Sequence, residues 1–252
     1  MAIQHETELY EPIKRFYEER GYTVKGEVRH CDLVAVGEQE QDMVIVEFKK
    51  TFNLSLLLQG VDRMQSCEQV YLAVERNRSK KGAVNQRWGE LTRLCKRLGL
   101  GLMTVTFYKT KKPVVEVLCE AAGTLAYAAS PVGSPARVSG RRKSRLLHEF
   151  KERSGDYNVG GSTQRKLVTA YREKALRMAQ CMNDHGQLSP RALREQLGYS
   201  NAAAMLQHNY YGWFARVGRG IYELTPTGHE ALQQYAEVVR ESAAASQKNE
   251  ER

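Results

Sequence analysis

Two short runs constrain the fold of this chain more than any other feature: Cys31-Asp32-Leu33-Val34-Ala35-Val36 and Met43-Val44-Ile45-Val46-Glu47-Phe48-Lys49. Both are rich in β-branched apolar residues and read as strands, and both are broken by charge. Side chains alternate along a strand, so Ile45, Glu47 and Lys49 share one face. Charges on an apolar strand face are costly unless they are paired or used. Folded as a symmetric antiparallel hairpin that turns between Gln39 and Glu40, the two runs set Asp32 directly opposite Glu47. Opposed Cβ atoms are about 4.5–5.5 Å apart, and two carboxylates that close repel unless a cation lies between them. Hard oxygen donors with no His or Cys beside them suit Mg²⁺ or Mn²⁺. Lys49, on the same face, would stabilise a hydroxide nucleophile or the charge of a phosphorane-like transition state. The plainer alternative is a structural Glu47–Lys49 ion pair at a sheet edge.

The remaining periodicity builds a mixed α/β domain around these strands. Glu6–Arg20 reads as an amphipathic helix, with Pro12 marking a kink or a start nearer Tyr10. Strands follow at Tyr22–Val28, Cys31–Val36 and Met43–Lys49. Then come a helix at Leu54–Met64, a strand at Gln69–Val74, a helix at Ala83–Leu98, and strands at Leu100–Phe107 and Val114–Leu118. The order α-β-β-β-α-β-α-β-β predicts one central sheet over residues 1–120. Residues 121–162 read as a basic connector, with a linker at Pro131–Pro135 and part of a helix at Ser144–Arg153. Residues 163–240 read as helices from Gln164, from Pro190 with Ser189 as cap, and over Asn201–Asn209 behind Ser200. A Gly218-Arg219-Gly220 hairpin and a helix at Thr227–Arg240 complete the segment. Three helices followed by such a hairpin is the layout of a winged helix-turn-helix. Residues 241–252 read as a frayed tail.

Composition excludes several classes. No run approaches the roughly 18 apolar residues of a membrane helix, and the start lacks the pattern of a secretory signal, so a reducing cytoplasmic location is expected. The five cysteines are spread without a Cys-x-x-Cys pair and are expected as core residues, not disulfides or a zinc site. No His spacing indicates a zinc hydrolase, and no Gly-x-x-x-x-Gly-Lys-Ser/Thr loop indicates NTP hydrolysis. The net charge of +9 is uneven, with eight basic and three acidic residues between 131 and 165. Such a segment fits a polyanionic partner or a solvated linker.

An acid on one strand, Glu-x-Lys on the next and a helix behind resemble the PD-(D/E)XK phosphodiesterase superfamily, the restriction-endonuclease-like fold. The runs Glu6–Tyr10, Val24–Val28, Val46–Lys49, Asn53–Leu54 and Gln59–Arg63 are similar to a family of bacterial PD-(D/E)XK-type phosphodiesterases, as are Tyr210–Phe214 and Gly218–Gly220. The resemblance spans Glu6 to about Leu232. It implies metal ligation by Asp32, Glu47 and the Phe48 carbonyl, with Lys49 assisting the nucleophile; Cys31 stands where the pattern often has proline. It also implies an acid from the first helix. Glu6, three before Leu9 and seven before Ile13, is expected inward, and Glu8 as an N-terminal charge favoured by the helix dipole. Gln59 and Arg63 share a helix face and would contact phosphate or orient water, or else serve as a cap and a partner of Asp62 or Glu68. Glu27 is expected near the site. The Gly160-Gly161-Ser162-Thr163 loop reads as a phosphate-holding turn or simply a capped helix start. These readings predict a divalent-metal-dependent DNA endonuclease. Arg63, Arg141, Arg142, Lys143, Asn201, Gln207 and Arg219 would contact double-stranded or branched DNA. The rival is a DNA-binding regulator or protein-interaction module on an inactive nuclease fold. Oligomeric state is open, a homodimer included.

Overall fold

The computed structural model describes residues 2–39, 42–78, 83–122, 138–161 and 166–250, with no account of side chains over 244–250. It divides into two compact units: Met1–Glu152 with Asp156–Leu167, and Arg153–Gly155 with Val168–Arg252.

The first unit is a six-stranded mixed sheet flanked by helices. Its strands are β1 (Thr23–Val28), β2 (Cys31–Val36), β3 (Met43–Lys49), β4 (Gln69–Glu75), β5 (Gly101–Thr106) and β6 (Val114–Cys119), in that spatial order. β1, β2 and β3 pair antiparallel, β3, β4 and β5 parallel, and β6 returns antiparallel. Helix α1 (Tyr10–Glu18) covers one face, where Leu9, Ile13 and Tyr17 meet Leu33, Val46, Phe48 and Met103. Helices α2 (Leu54–Arg63), α3 (Trp88–Arg97) and α4 (Gly140–Glu152) cover the other, where Leu56, Cys95, Leu146, Leu147 and Phe150 meet Val34, Ile45 and Leu72. α2 lies close to the sheet because Gly60 has no Cβ; one built there would stand 2.6 Å from Leu72 Cδ2. Asn53 caps this helix by accepting the Leu56 amide at 2.9 Å.

Several expectations need correction. α1 begins at Tyr10, with Pro12 tolerated in its first turn and a short 3₁₀ turn over Glu6–Leu9 before it. α3 begins only at Trp88, because Arg87 (φ −76°, ψ 70°) breaks it from the 3₁₀ turn Val84–Gln86. The larger correction concerns the connector. α4 carries the basic residues but is anchored in the first unit: Leu146, Leu147 and Phe150 are buried, and Lys25 Nζ donates to the Phe150 carbonyl at 2.6 Å. Asp156 is likewise bound there, accepting from Tyr10 Oη, Lys14 Nζ and the Gly26 amide. Pro131–Pro135, Ser162 and Thr163 lie outside the described residues.

The second unit comprises α5 (Ala170–His185), α6 (Pro190–Leu197), α7 (Ala202–His208), the hairpin β7 (Phe214–Gly218) and β8 (Ile221–Leu224), α8 (Pro226–Gln234) and α9 (Ala236–Glu250). Met178, Met182, Leu193, Leu206, Trp213 and Phe214 form its core. α5 starts later than expected because Thr169 caps it, accepting the Arg172 amide at 3.2 Å. Ser189 caps α6 through the Ala192 amide at 3.1 Å. The α7 cap is Asn201, not Ser200, and its side chain makes no cap bond. The expected last helix breaks at Tyr235, and α9 runs through the segment expected to fray. All five cysteines are buried and free. Among the described residues, no helix is long and apolar enough to cross a membrane.

Candidate active site

The site is built where β2 and β3 run out together. Leu33 pairs with Val46 and Val34 with Ile45, so the same register sets Asp32 opposite Glu47. The hairpin symmetry therefore holds, and the two acids stand together. Asp32 Oδ2 accepts the Phe48 amide at 3.0 Å, fixing the carboxylate against the neighbouring strand. Glu47 is fully buried. Burial first, and then the negative charge of Asp32, push its carboxyl up to about 8. Burial also raises Asp32, against the opposing pull of the Phe48 amide.

Lys49 does not pair with Glu47. Its Nζ lies 3.1 Å from Glu6 Oε2. The counter-ion of Glu47 is Arg63, whose Nε lies 2.5 Å from Glu47 Oε1. The same guanidinium donates to the His30 carbonyl at 2.6 Å and to Asp62 at 3.1 Å. Arg63 thus pairs with the site acid, a partner the sequence reading did not name. Its pairing with Asp62 was legible in the sequence; its pairing with Glu47 required knowing how α2 lies over β3.

The two candidate acids near the N-terminus separate cleanly. Glu6 meets Lys49, whereas Glu8 Oε1 accepts the amides of Gln4 and His5 at 2.7 and 2.8 Å. The His5 amide holds the Glu8 carboxyl below its usual range. Glu27 is buried on β1 with a φ of 51°, at the register position beside Asp32. Gly160 and Gly161 also close on the site. A Cβ on Gly160 would stand 2.2 Å from the Asp32 carbonyl, and one on Gly161 2.8 Å from the Phe48 ring. The loop thus packs against β2 and β3, and α5 begins well beyond it.

The donor set suits a hard divalent cation. Glu47 Oε2 and Gln59 Oε1 are buried without a hydrogen-bond partner, two of the four such side-chain atoms among the described residues. An orphaned carboxylate oxygen facing a second carboxylate is filled by a proton or by a cation. Among the described residues no three His, Cys, Asp or Glu side chains converge as a metal cluster.

The other expected contacts lie elsewhere. Arg141 and Arg142 are exposed and Lys143 is half-buried at the start of α4, where Arg142 approaches Asp62 of α2 at 3.4 Å. Asn201, Gln207 and Arg219 are exposed on the second unit.

The family comparison reaches a phosphodiesterase class from a different part of the chain. The chain belongs to the family described as "Putative PD-(D/E)XK phosphodiesterase (DUF2161)", whose model matches residues 103–231, just over half of its 252 residues. The matched span opens within β5 and closes in α8, so Asp32, Glu47 and Lys49 precede it. No curated protein shows a significant match, and neither does any solved structure.

Proposed function

We propose that this chain is a divalent-metal-dependent endonuclease acting on DNA. The observation that carries the proposal is the Asp32–Glu47 pair with its orphaned Glu47 Oε2, and Lys49 two residues further on the same strand. Asp32 and Glu47, with the Phe48 carbonyl, would hold Mg²⁺ or Mn²⁺. Such a cation supplies Lewis-acid polarisation of the scissile phosphate. Asp32 is kept in place by the Phe48 amide. Lys49, paired with Glu6, would steady an attacking water and the charge that develops on phosphate oxygen. Gln59, whose side-chain oxygen is buried without a partner, would orient that water.

Binding is assigned to two surfaces. The basic start of α4 would neutralise backbone phosphates. The second unit would act as a winged helix, with Asn201 and Gln207 of the α7 region offered to base edges and Arg219 at the hairpin turn to the backbone.

A second reading also has an observation behind it. Arg63 and Lys49 already neutralise Glu47 and Glu6 without any metal, as a catalytically inactive DNA-binding scaffold would require. One experiment separates the two. Plasmid, single-stranded, branched and RNA substrates are incubated with Mg²⁺, Mn²⁺ or chelator, using the full chain and Asp32→Asn. Metal-dependent cleavage of DNA lost in the variant is expected. Binding without cleavage under every condition would establish the scaffold, and cleavage restricted to RNA would reassign the substrate.

A further inference from the structure

The parallel strands β3, β4 and β5 bring their C-terminal ends to one edge of the sheet. Lys49 pairs with Val74 of β4, and Glu75 with Val105 of β5. Ligands of such sheets gather at that edge. Past the ends of β4 and β5, this same edge opens into a cavity of about 660 Å³. Small-ligand sites commonly fall between about 300 and 1,000 Å³.

The walls have a definite chemistry. Trp88 opens α3 and Tyr108 follows β5; Arg76 and Arg78 come from the loop after β4. The guanidinium carbons of Arg76 and Arg78 stand 5.7 Å from the ring centroids of Trp88 and Tyr108, respectively. Arg20, by contrast, lies 3.5 Å from the Phe16 centroid, in full stacking contact. Neither ring in the cavity is therefore filled by its own arginine at van der Waals distance. Arg76 is fixed by Glu116 of β6 at 2.5 Å. Arg78 is exposed and carries the charge that a passing phosphate would meet.

We propose that this cavity is a stacking subsite for an unpaired nucleobase of the strand held at the Asp32–Glu47 site. The inference rests on the nuclease reading above and narrows its substrate class. Every base has a π-face, so two aromatic rings accept any of them, while arginines track the backbone. A base inside an intact duplex is already stacked and cannot enter without being pulled out. Single-stranded, frayed or branched DNA is therefore preferred over continuous duplex.

The test uses the full chain in chelator, so that binding is read without cleavage. Trp88 and Trp213 are its two tryptophans. Labelling with 5-fluorotryptophan gives each a ¹⁹F signal, and Trp88→Phe identifies which of the two is Trp88. Adding hexathymidylate should shift the Trp88 signal. Tyr108→Ala should weaken hexathymidylate binding by about tenfold, and Tyr108→Phe should restore it. A duplex of the same length should produce the smaller shift. An unmoved Trp88 signal, unchanged affinity in Tyr108→Ala, or an equal response to duplex would overturn the subsite. Thymidine monophosphate binding as tightly as the hexamer would overturn the assignment to a strand. The two readings fail separately. A chain that cleaves DNA but leaves Trp88 unmoved loses only the subsite; one that shifts Trp88 but cleaves nothing loses only the nuclease assignment.

Discussion

The two units of this chain both bury charge, but in different places. The first carries it into the sheet. Glu47, Glu27, Lys25 and Glu75 are buried along β1, β3 and β4, where a low dielectric strengthens every interaction among charges and penalises any left unpaired. The second unit buries Arg153 and Glu173, with Glu173 accepting the Ser154 amide at 3.0 Å; it offers Asn201, Gln207 and Arg219 to solvent and begins three of its helices with the neutral hydroxyls of Thr169, Ser189 and Thr225. The contrast can be broken by substitution, because it predicts that rate effects belong to the first unit alone, while affinity effects fall on exposed groups of both.

The sharpest break lies at the strand end. Asp32→Asn or Lys49→Ala should lower cleavage by at least about a hundredfold and leave DNA binding in chelator unchanged. Lys50→Ala should leave the rate within about threefold, since Lys50 acts electrostatically on Glu8 and Glu75, away from the acid pair. Single-turnover kinetics on one labelled substrate decides the matter. Equal losses at Lys49 and Lys50 would mean that the wrong lysine has been assigned to the site.

What could be read beforehand follows the same division. The Asp32–Glu47 opposition was legible because period-two alternation and a symmetric hairpin fix it locally. The role of Arg63 was not, because it depends on α2 crossing β3 at the distance that Gly60 permits. The α4 segment was misread for another reason. Its basic residues dominate the composition, while the three apolar residues that anchor it, Leu146, Leu147 and Phe150, form a narrow stripe. Helix starts were misplaced where a cap competed with periodicity, as at Thr169. The Trp88–Tyr108 cavity is assembled from segments with no shared pattern, so nothing local announces it.

The second break concerns stability. Arg63→Ala strips the buried Glu47 of its counter-ion. Losing one partner of a buried pair costs about 3–5 kcal/mol. The full cost should appear at pH 9, where Glu47 is largely ionised, and a smaller one at pH 6, where a group held at about 8 keeps its proton. Urea unfolding in chelator at the two pH values measures the difference. Millimolar Mg²⁺ should recover part of the loss in Arg63→Ala and none in Arg63→Ala/Glu47→Gln. Identical losses at both pH values would show that Arg63 acts only by packing.

The raised Glu47 carboxyl has a further consequence. It is held at about 8 against an ordinary value of 4.5. Across that window the folded chain keeps a proton that the unfolded chain has lost. The metal-free stability therefore falls as pH rises from about 4.5 to 8. A cation that takes the place of that proton must release it. Calorimetry of Mn²⁺ binding at pH 7 in two buffers of different ionisation enthalpy should show proton release, and affinity should rise with pH toward 8. Binding without proton release would remove Glu47 from the ligand set.

The smallest effect is expected on the exposed surfaces, and it asks whether α4 touches DNA at all. Each phosphate neutralised on duplex DNA contributes about 0.9 to the slope of log affinity against log salt. Arg142 is partly engaged with Asp62, so Arg141, Arg142 and Lys143 together should account for about two phosphates and not three. The full chain with all three changed to glutamine should lose about 2 from that slope. The fold should be unaffected, because the anchoring side chains Leu146, Leu147 and Phe150 are untouched. Arg219→Ala in the second unit should lower the slope by about 1 at most. Anisotropy titrations in chelator over a series of salt concentrations give both numbers. A triple variant with an unchanged slope would make the α4 cluster a solvated face. A larger loss in Arg219→Ala than in the triple variant would transfer most of the backbone contact to the second unit and reverse the division of labour drawn here.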